Sequence, residues 1–236
     1  MELSATLNGR HLLRDWGLHI ENNDIISPPE VNDTFISVHG GKDLDLTEMN
    51  GPVSYKNREI NLELGGLKQK REWRSFFTRF LNTYHGKQVQ IIFDDDAGFF
   101  YKGRAYIPDD AEKVARIGTF KMEIHTEPYK YEILGSQEPW IFDIFNFQTG
   151  VIRYIGEKVI TSTDNSIRIP KGDMLTVPVF IVSQSAGLKV VYRGKEYALG
   201  TGRNRFPQIK IGGTDEILLV FKGTGIVIIE YRGGSL

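Results

Sequence analysis

The longest run of acidic residues is DDDAG, residues 94–98. Three carboxylates suggest a hard-cation site, because calcium and magnesium take oxygen ligands. Such a site draws its oxygens from several positions, however, and neighbours along a strand face opposite ways. Asp94, Asp95 and Asp96 are therefore expected in a hairpin turn with their acids facing water. The five histidines, His11, His19, His39, His85 and His125, are scattered, and none stands in the HxH or HExxH spacing that would hold zinc. Cysteine is absent, which removes thiolate metal sites, disulfides and cysteine nucleophiles together. No G-x-S-x-G elbow marks a serine nucleophile. GTGRN, GGTDE and GTGIV carry glycines without phosphate-cradle spacing and read as turns. No catalytic residue, metal ligand or cofactor site is expected.

Two softer sites are left. A β-sandwich can bind glycans when it exposes an aromatic platform. Trp16 and Trp73 lie in the first half and Trp140 in an apolar run suited to core packing, so Tyr154, Tyr192, Tyr197 and Tyr231 are the candidates. The other site is the segment HGGKDLDLTE. Gly40 and Gly41 form a turn, and Lys42 leads into Asp43, Leu44, Asp45 and Leu46. In an extended segment this alternation puts the leucines on one face and the acids on the other. Active-site loop, ion site and protein-contact loop are all open readings. The plainest reading is an ordinary hairpin, with leucines in their own core and acids in water.

These residues must be positioned by the elements around them. Asn8-Gly9 in ATLNGRHLL suits the two left-handed centres of a type I′ hairpin turn. WGLHI continues as strand, and ISPPEV is extended, because each proline pushes the residue before it out of the helical region. FISVHG and YKNREINLEL read as strands; in the second, Ile60, Leu62 and Leu64 alternate with Glu59, Asn61 and Glu63. One helix is expected, from Leu67 to His85. Trp73, Phe76, Phe77, Phe80, Leu81 and Tyr84 form a single bulky stripe suited to packing across a sheet, and Gly86 closes the end. Its other face carries Lys68, Lys70, Arg71, Arg74 and Arg79 against Glu72, either a solvated face or a docking surface. KQVQIIFDDDAGFFYKGRAYI reads as a hairpin, and GTFKMEIHTEPYKYEI as a strand leaving at Pro128.

From about Leu134 no helical stripe recurs. Short β-rich runs stand between glycines: WIFDIFNF, VIRYI, KVIT, SIRIP, LTVPVFIV, LKVVYRG, KEYAL, PQIKI, EILLVF and GIVIIEY. That texture indicates a sandwich or jelly roll. The expected fold class is α+β and mainly β, with LGSQEP dividing residues 1–134 from residues 135–236.

The 236 residues carry 29 basic and 30 acidic side chains, a formal charge of −1. Residues 1–134 hold 17 basic and 21 acidic residues, and residues 135–236 hold 12 and 9, so neither half has the basic excess of a sequence-reading nucleic-acid binder. The longest apolar runs fall far short of a membrane span, and no signal-peptide pattern opens the chain.

Taken in order, LNGR, WGLHI, ISPPEV, HGGKDLDLTE and YKNREI resemble the opening of phage distal tail (Dit) proteins. YHGKQVQIIFDDDAGFFYKGR and GTFKMEIHTEPYKY extend the likeness over about residues 7–132. The resemblance implies a virion structural protein without catalysis, made in a bacterial cytoplasm and placed at the tip of a long non-contractile siphovirus tail. It implies a homo-oligomer, a hexameric ring or two rings, built by the N-terminal domain around a channel through which DNA passes. A galectin-like C-terminal β-sandwich would project outward. Its partners would be the major tail tube protein, the tail-associated tip protein and receptor-binding proteins, with no membrane and no cofactor. The loop Gly40–Leu46 would then lie at the subunit boundary. A glycan-binding baseplate adhesin acting through the second domain, and more remotely a β-sandwich glycosidase, stand as alternatives.

Overall fold

The alternation at 58–64 produces a long strand of the first half, seen here in a computed structural model that describes residues 3–22, 25–49, 51–67, 71–108, 112–114, 117–139, 141 and 150–236. The chain divides into two compact units, Met1–Lys130 and Tyr131–Ser235.

The first unit contains β1 (Ala5–Leu7), β2 (Arg10–His11), β3 (Leu18–Ile20), β4 (Phe35–Ile36), β5 (Leu44–Asp45), β6 (Arg58–Leu67), the single α-helix of the described residues, α1 (Trp73–Tyr84), and then β7 (Gln88–Phe93), β8 (Phe99–Tyr106), β9 (Glu112–Val114) and β10 (Ile117–Thr126). An antiparallel sheet runs β2-β1-β7-β8-β10-β6-β3, with β9 paired to β10. The Asn8-Gly9 turn forms as expected, with positive φ at both residues. Strand β7 joins β8 through a short 3₁₀ turn, Asp94–Asp96, so the triple acid is a hairpin connection.

Two expectations for this unit are corrected. WGLHI is strand only at Leu18–Ile20, because a π-helical turn, Leu12–Trp16, comes first. His11 caps that turn: its Nδ1 accepts the backbone N–H groups of Leu13 and Arg14, leaving Nε2–H to donate to Asp94 at 2.9 Å. The helix begins at Trp73, since β6 runs on through Gly65, Gly66 and Leu67, paired to both β10 and β3. A glycine on the neighbouring strand makes room for an aromatic ring. A Cβ at Gly118, which faces Gly66 across the ladder, would come within 2.5 Å of the Trp73 indole.

The stripe of α1 packs on this sheet. Trp73, Phe76, Phe80 and Tyr84 are buried, and Phe80 meets Trp16, Tyr84 and Phe120 at ring separations of 5.0, 4.9 and 5.2 Å. Phe77 and Leu81, expected on the same stripe, sit at its edge and are only partly buried. Trp16 Nε1–H donates to the Tyr84 hydroxyl at 3.0 Å, giving two buried polar groups a shared partner.

In the second unit, β11 (Lys130–Glu132) leads in and pairs with β20 (Gly234–Ser235). Between them lie β12 (Glu157–Ile160), β13 (Ser166–Ile169), β14 (Gly172–Thr176), β15 (Val179–Tyr192), β16 (Lys195–Ala198), β17 (Gly202–Arg205), β18 (Ile211–Gly213) and β19 (Ile217–Glu230). Strands expected to end at glycines do not. LTVPVFIV and LKVVYRG contribute to one strand, β15, and EILLVF and GIVIIEY to another, β19, each of 14 residues. Gly187 and Gly223 adopt positive φ where the β15–β19 register shifts, so they bend the ladder instead of ending it. Beyond the bend each long strand takes a new outer neighbour. One half reads β13-β19-β15-β16 and the other β12-β19-β15-β17. Side chains from both halves form one core, including Phe180, Val190, Phe221 and Ile229. VIRYI carries no strand, and PQIKI contributes only Ile211, in a separate β14–β18 pair. WIFDIFNF lies outside the described residues except for Ile141.

A buried ion pair ties the second unit's first residues to its interior. Arg153, with 3% of its side chain exposed, forks onto both Glu132 oxygens at 2.5 and 2.8 Å and donates to the Lys171 carbonyl. Gly172 and Gly233 make the space, since a Cβ at either would press on the guanidinium.

Candidate functional site

The segment 33–49 contributes nothing to the core of its unit. Its only regular structure is the β4–β5 hairpin, with Phe35 opposite Asp45 and Ile36 opposite Leu44. Opposed residues of an antiparallel pair share a face. Ile36 and Leu44 therefore stand together, while Asp45 stands with Phe35. The turn sits at Gly40, whose φ is +74°, and Gly41 N–H donates to the Val38 carbonyl. Around it Phe35, Ile36, Leu44 and Met49 are 57%, 50%, 53% and 67% exposed. With Val38, also exposed, these make five large apolar side chains in one short arm, unusual for a surface that meets only water.

Short hydrogen bonds hold the acids in place. Asp43 Oδ1 accepts the Ser37 hydroxyl at 2.9 Å, and Asp45 Oδ1 accepts the Thr47 backbone N–H at 2.9 Å. Bonding to Thr47 lowers the Asp45 pKa below the ordinary carboxylate value. Lys42 is exposed at the turn, Leu44 is exposed, and Leu46 is half-buried with its N–H on the Thr34 carbonyl. Gly40, Gly41, Lys42, Asp43, Leu44, Asp45 and Leu46 thus form one projecting feature. Leu46 follows directly after β5. Phe35, Ile36 and Met49 belong to the same feature and were missed, because a strand reading of FISVHG supposes that its apolar residues face a core.

A second exposed surface lies on the outer side of α1. An open depression of about 620 Å³ is lined by Arg71, Arg74, Ser75, Thr78, Arg79, Asn82 and Thr83. Ser75, Thr78 and Thr83 donate their hydroxyls to the Glu72, Arg74 and Arg79 carbonyls, which leaves guanidinium groups as the principal donors. Arg79 rests 5.2 Å over the Trp16 ring. Lys68 and Lys70 lie outside the described residues.

The other candidates are dispersed. Asp94 bonds His11 and Asp96 pairs with Lys130 at 2.8 Å, so the triple acid is divided between two partners. His85 Nδ1 accepts the Ile107 N–H, and His125 stands 3.5 Å from Glu59. Among the described residues no cluster of three His, Asp or Glu could hold a metal ion, and no helix is long and apolar enough to cross a membrane. Of the four tyrosines, Tyr192 and Tyr231 are buried and Tyr197 is turned onto Phe206, leaving Tyr154 exposed. Trp140 lies outside the described residues.

No protein-family model matches the sequence, and no curated protein does. Solved structures do match. The crystal structure of SPP1 Dit (gp 19.1), a paradigm of the hub adsorption apparatus in phages infecting Gram-positive bacteria, aligns over 98% of this chain and 99% of its own, with a TM-score of 0.59 and 13% identity. The chain has the Dit fold. The match runs through both units, so the likeness seen in residues 7–132 of the sequence extends in the fold to the second half. Within that Dit fold, the hairpin at 35–45 and the arginine face of α1 are the two exposed features of the first unit whose chemistry suits a partner.

Proposed function

We propose that this protein is a tail hub of a long non-contractile-tailed phage or prophage. Residues 1–134 would build a closed ring, hexameric and single or doubled, around a channel for DNA. Residues 135–236 would project as a galectin-like β-sandwich toward the receptor-binding apparatus, with the ring joining the tail tube to the tail-tip protein. The observation that carries this reading is the alignment of both units, end to end, with one hub protein. The exposed hairpin supports it. In a cyclic assembly each subunit presents one surface to a different surface of the next, and Leu44 and Ile36 are positioned to be covered by such a neighbour.

Native mass spectrometry of the full chain, alone and with its tail tube protein, tests the proposal. Six or twelve copies per particle are expected. A monomer under both conditions would overturn it. Leu44→Ser combined with Leu46→Ser should abolish assembly while leaving the melting temperature of the monomer unchanged. Unfolding of that variant would instead make the leucines part of their own subunit. Low-micromolar binding of host cell-wall polysaccharide by a monomeric chain would favour the adhesin alternative.

A further inference from the structure

We infer that the arginine face of α1 is the seat for the acidic face of the hairpin of a second copy of this chain. The inference rests on the ring reading and names the two surfaces that would meet. Among the described residues, no carboxylate pairs with Arg71, Arg74 or Arg79. Asp43 and Asp45 are likewise held by Ser37 and Thr47 and by no cation. The predominant charge of each surface is opposite to that of the other.

The spacings are comparable along the strand and along the helix axis. Two residues along a strand separate Asp43 and Asp45 by about 7 Å. Five residues along a helix separate Arg74 and Arg79 by about 7.5 Å of axial rise, and by about 140° around the axis. The two guanidinium groups therefore flank the strip made by Ser75, Thr78 and Asn82, and the depression between them is open to an incoming strand pair. Arg79 is preorganised by its stack on Trp16, and both aspartates are preorganised by their own hydrogen bonds. Phe35 lies on the acidic face, beside Asp45, and supplies apolar area within the charged contact. The opposite face, with Ile36 and Leu44, is left for other surfaces of the neighbour.

The energetics define the role. Exposed ion pairs contribute about 0–1 kcal/mol each. The charges would therefore select partner and register, while apolar contact supplies most of the affinity. The contact is heterologous, hairpin to helix, and such a contact closes into a ring if the rotation between copies permits.

Two charge-reversal variants of the full chain test this: Asp43→Arg with Asp45→Arg, and Arg71→Glu with Arg74→Glu. Among the described residues Arg71 and Arg74 make no ion pair, so the second variant should keep the wild-type melting temperature. Each variant alone should need at least about tenfold more protein than wild type for half-assembly. An equimolar mixture should restore assembly, with the two variants alternating around the ring, because every interface then joins opposite charges. Three results overturn the inference while leaving the ring reading intact. One is a wild type that assembles alongside variants that assemble equally well. Another is a mixture that stays as weak as its components. The third is loss of duplex-DNA binding in the Arg71→Glu, Arg74→Glu variant with assembly unchanged, which would assign the face to nucleic acid. A wild-type chain that stays monomeric with its tube protein overturns the ring reading itself, and the docking inference falls with it.

Discussion

In the first unit an aromatic helix is laid on a sheet whose glycines receive it. In the second unit two 14-residue strands bend at glycines so that one sheet wraps its own core. Glycine therefore does opposite work in the two places. Gly118 lies in a straight ladder and is needed for the side-chain volume of Trp73, while Gly66 opposite it gives space to the Gly17 carbonyl. Gly187 and Gly223 lie where the ladder shifts, at φ of +67° and +81°, and are needed for the backbone they allow. A glycine in a β-rich sequence reads as a turn in either case, and only the neighbouring elements reveal which demand is being met.

The largest expected effect tests whether the units stand as separate cores. Phe80, fully buried under α1, and Phe221, fully buried in the bent sheet, should each cost about 3–5 kcal/mol when changed to alanine. If the two cores unfold independently, differential scanning calorimetry of the full chain should show Phe80→Ala lowering one transition and Phe221→Ala the other. Equal displacement of a single transition by both variants would mean one cooperative structure. Phe77→Ala should cost distinctly less than Phe80→Ala, because its ring sits at the edge of the stripe and is only partly buried.

A smaller effect separates the two uses of glycine. At Gly118 an added methyl would meet the Trp73 ring, and overpacking costs typically about 1–3 kcal/mol. Combining Gly118→Ala with Trp73→Leu should recover part of that loss, giving a favourable coupling in a double-mutant cycle. At Gly223 the methyl would meet the Gly187 carbonyl oxygen at 2.4 Å, on a backbone that costs L-residues about 1–2 kcal/mol even without a clash. Trimming a side chain should not rescue Gly223→Ala. Chemical denaturation of the four variants reads both outcomes, and a null coupling between Gly118→Ala and Trp73→Leu would remove the steric account of that glycine.

What was legible in the sequence follows from the range of the interactions involved. The Asn8-Gly9 turn, the Asp94–Asp96 hairpin connection, the alternation of Ile60, Leu62 and Leu64 and the buried Trp73, Phe76, Phe80 and Tyr84 of the α1 stripe are set by neighbours within a few residues, and they form as read. The start of α1 and the continuity of β15 and β19 depend on partners dozens of residues away. Gly65 and Gly66 stay in strand because β10 and β3 pair them from both sides. The π-turn at Leu12–Trp16 was hidden because its cap is a histidine side chain bonded to Asp94, across the sheet. At the candidate site the alternation of leucine and aspartate was visible, and so was the basic face of α1. The exposure of Phe35, Ile36 and Met49 was not, since apolar residues in a strand-like run ordinarily mark a core and only the finished fold shows that no core receives them.

The smallest effect lies on the bent sheet of the second unit, where charge takes the place that packing holds elsewhere. Glu196 on β16 accepts hydrogen bonds from Lys222 at 2.6 Å and Lys189 at 2.9 Å, from the two long strands beside the bend. Lys222, then Lys189, hold its carboxyl down to about 2, from an ordinary value of 4.5. A carboxylate with a depressed folded-state pKa adds stability that is present above the unfolded value. That stability is lost as pH falls through the folded one, so the window runs from about 4.5 down to about 2. The group is exposed, so salt screens it and the thermodynamic effect is small. The clearest readout is therefore titration and not melting. Carbon-13 NMR of the Glu196 carboxyl should give a midpoint well below its ordinary value of 4.5, and Lys222→Met should move it upward by more than Lys189→Met does. An unchanged midpoint in Lys222→Met would show that the bend does not hold the three side chains together in solution, and that the long strands flex there independently.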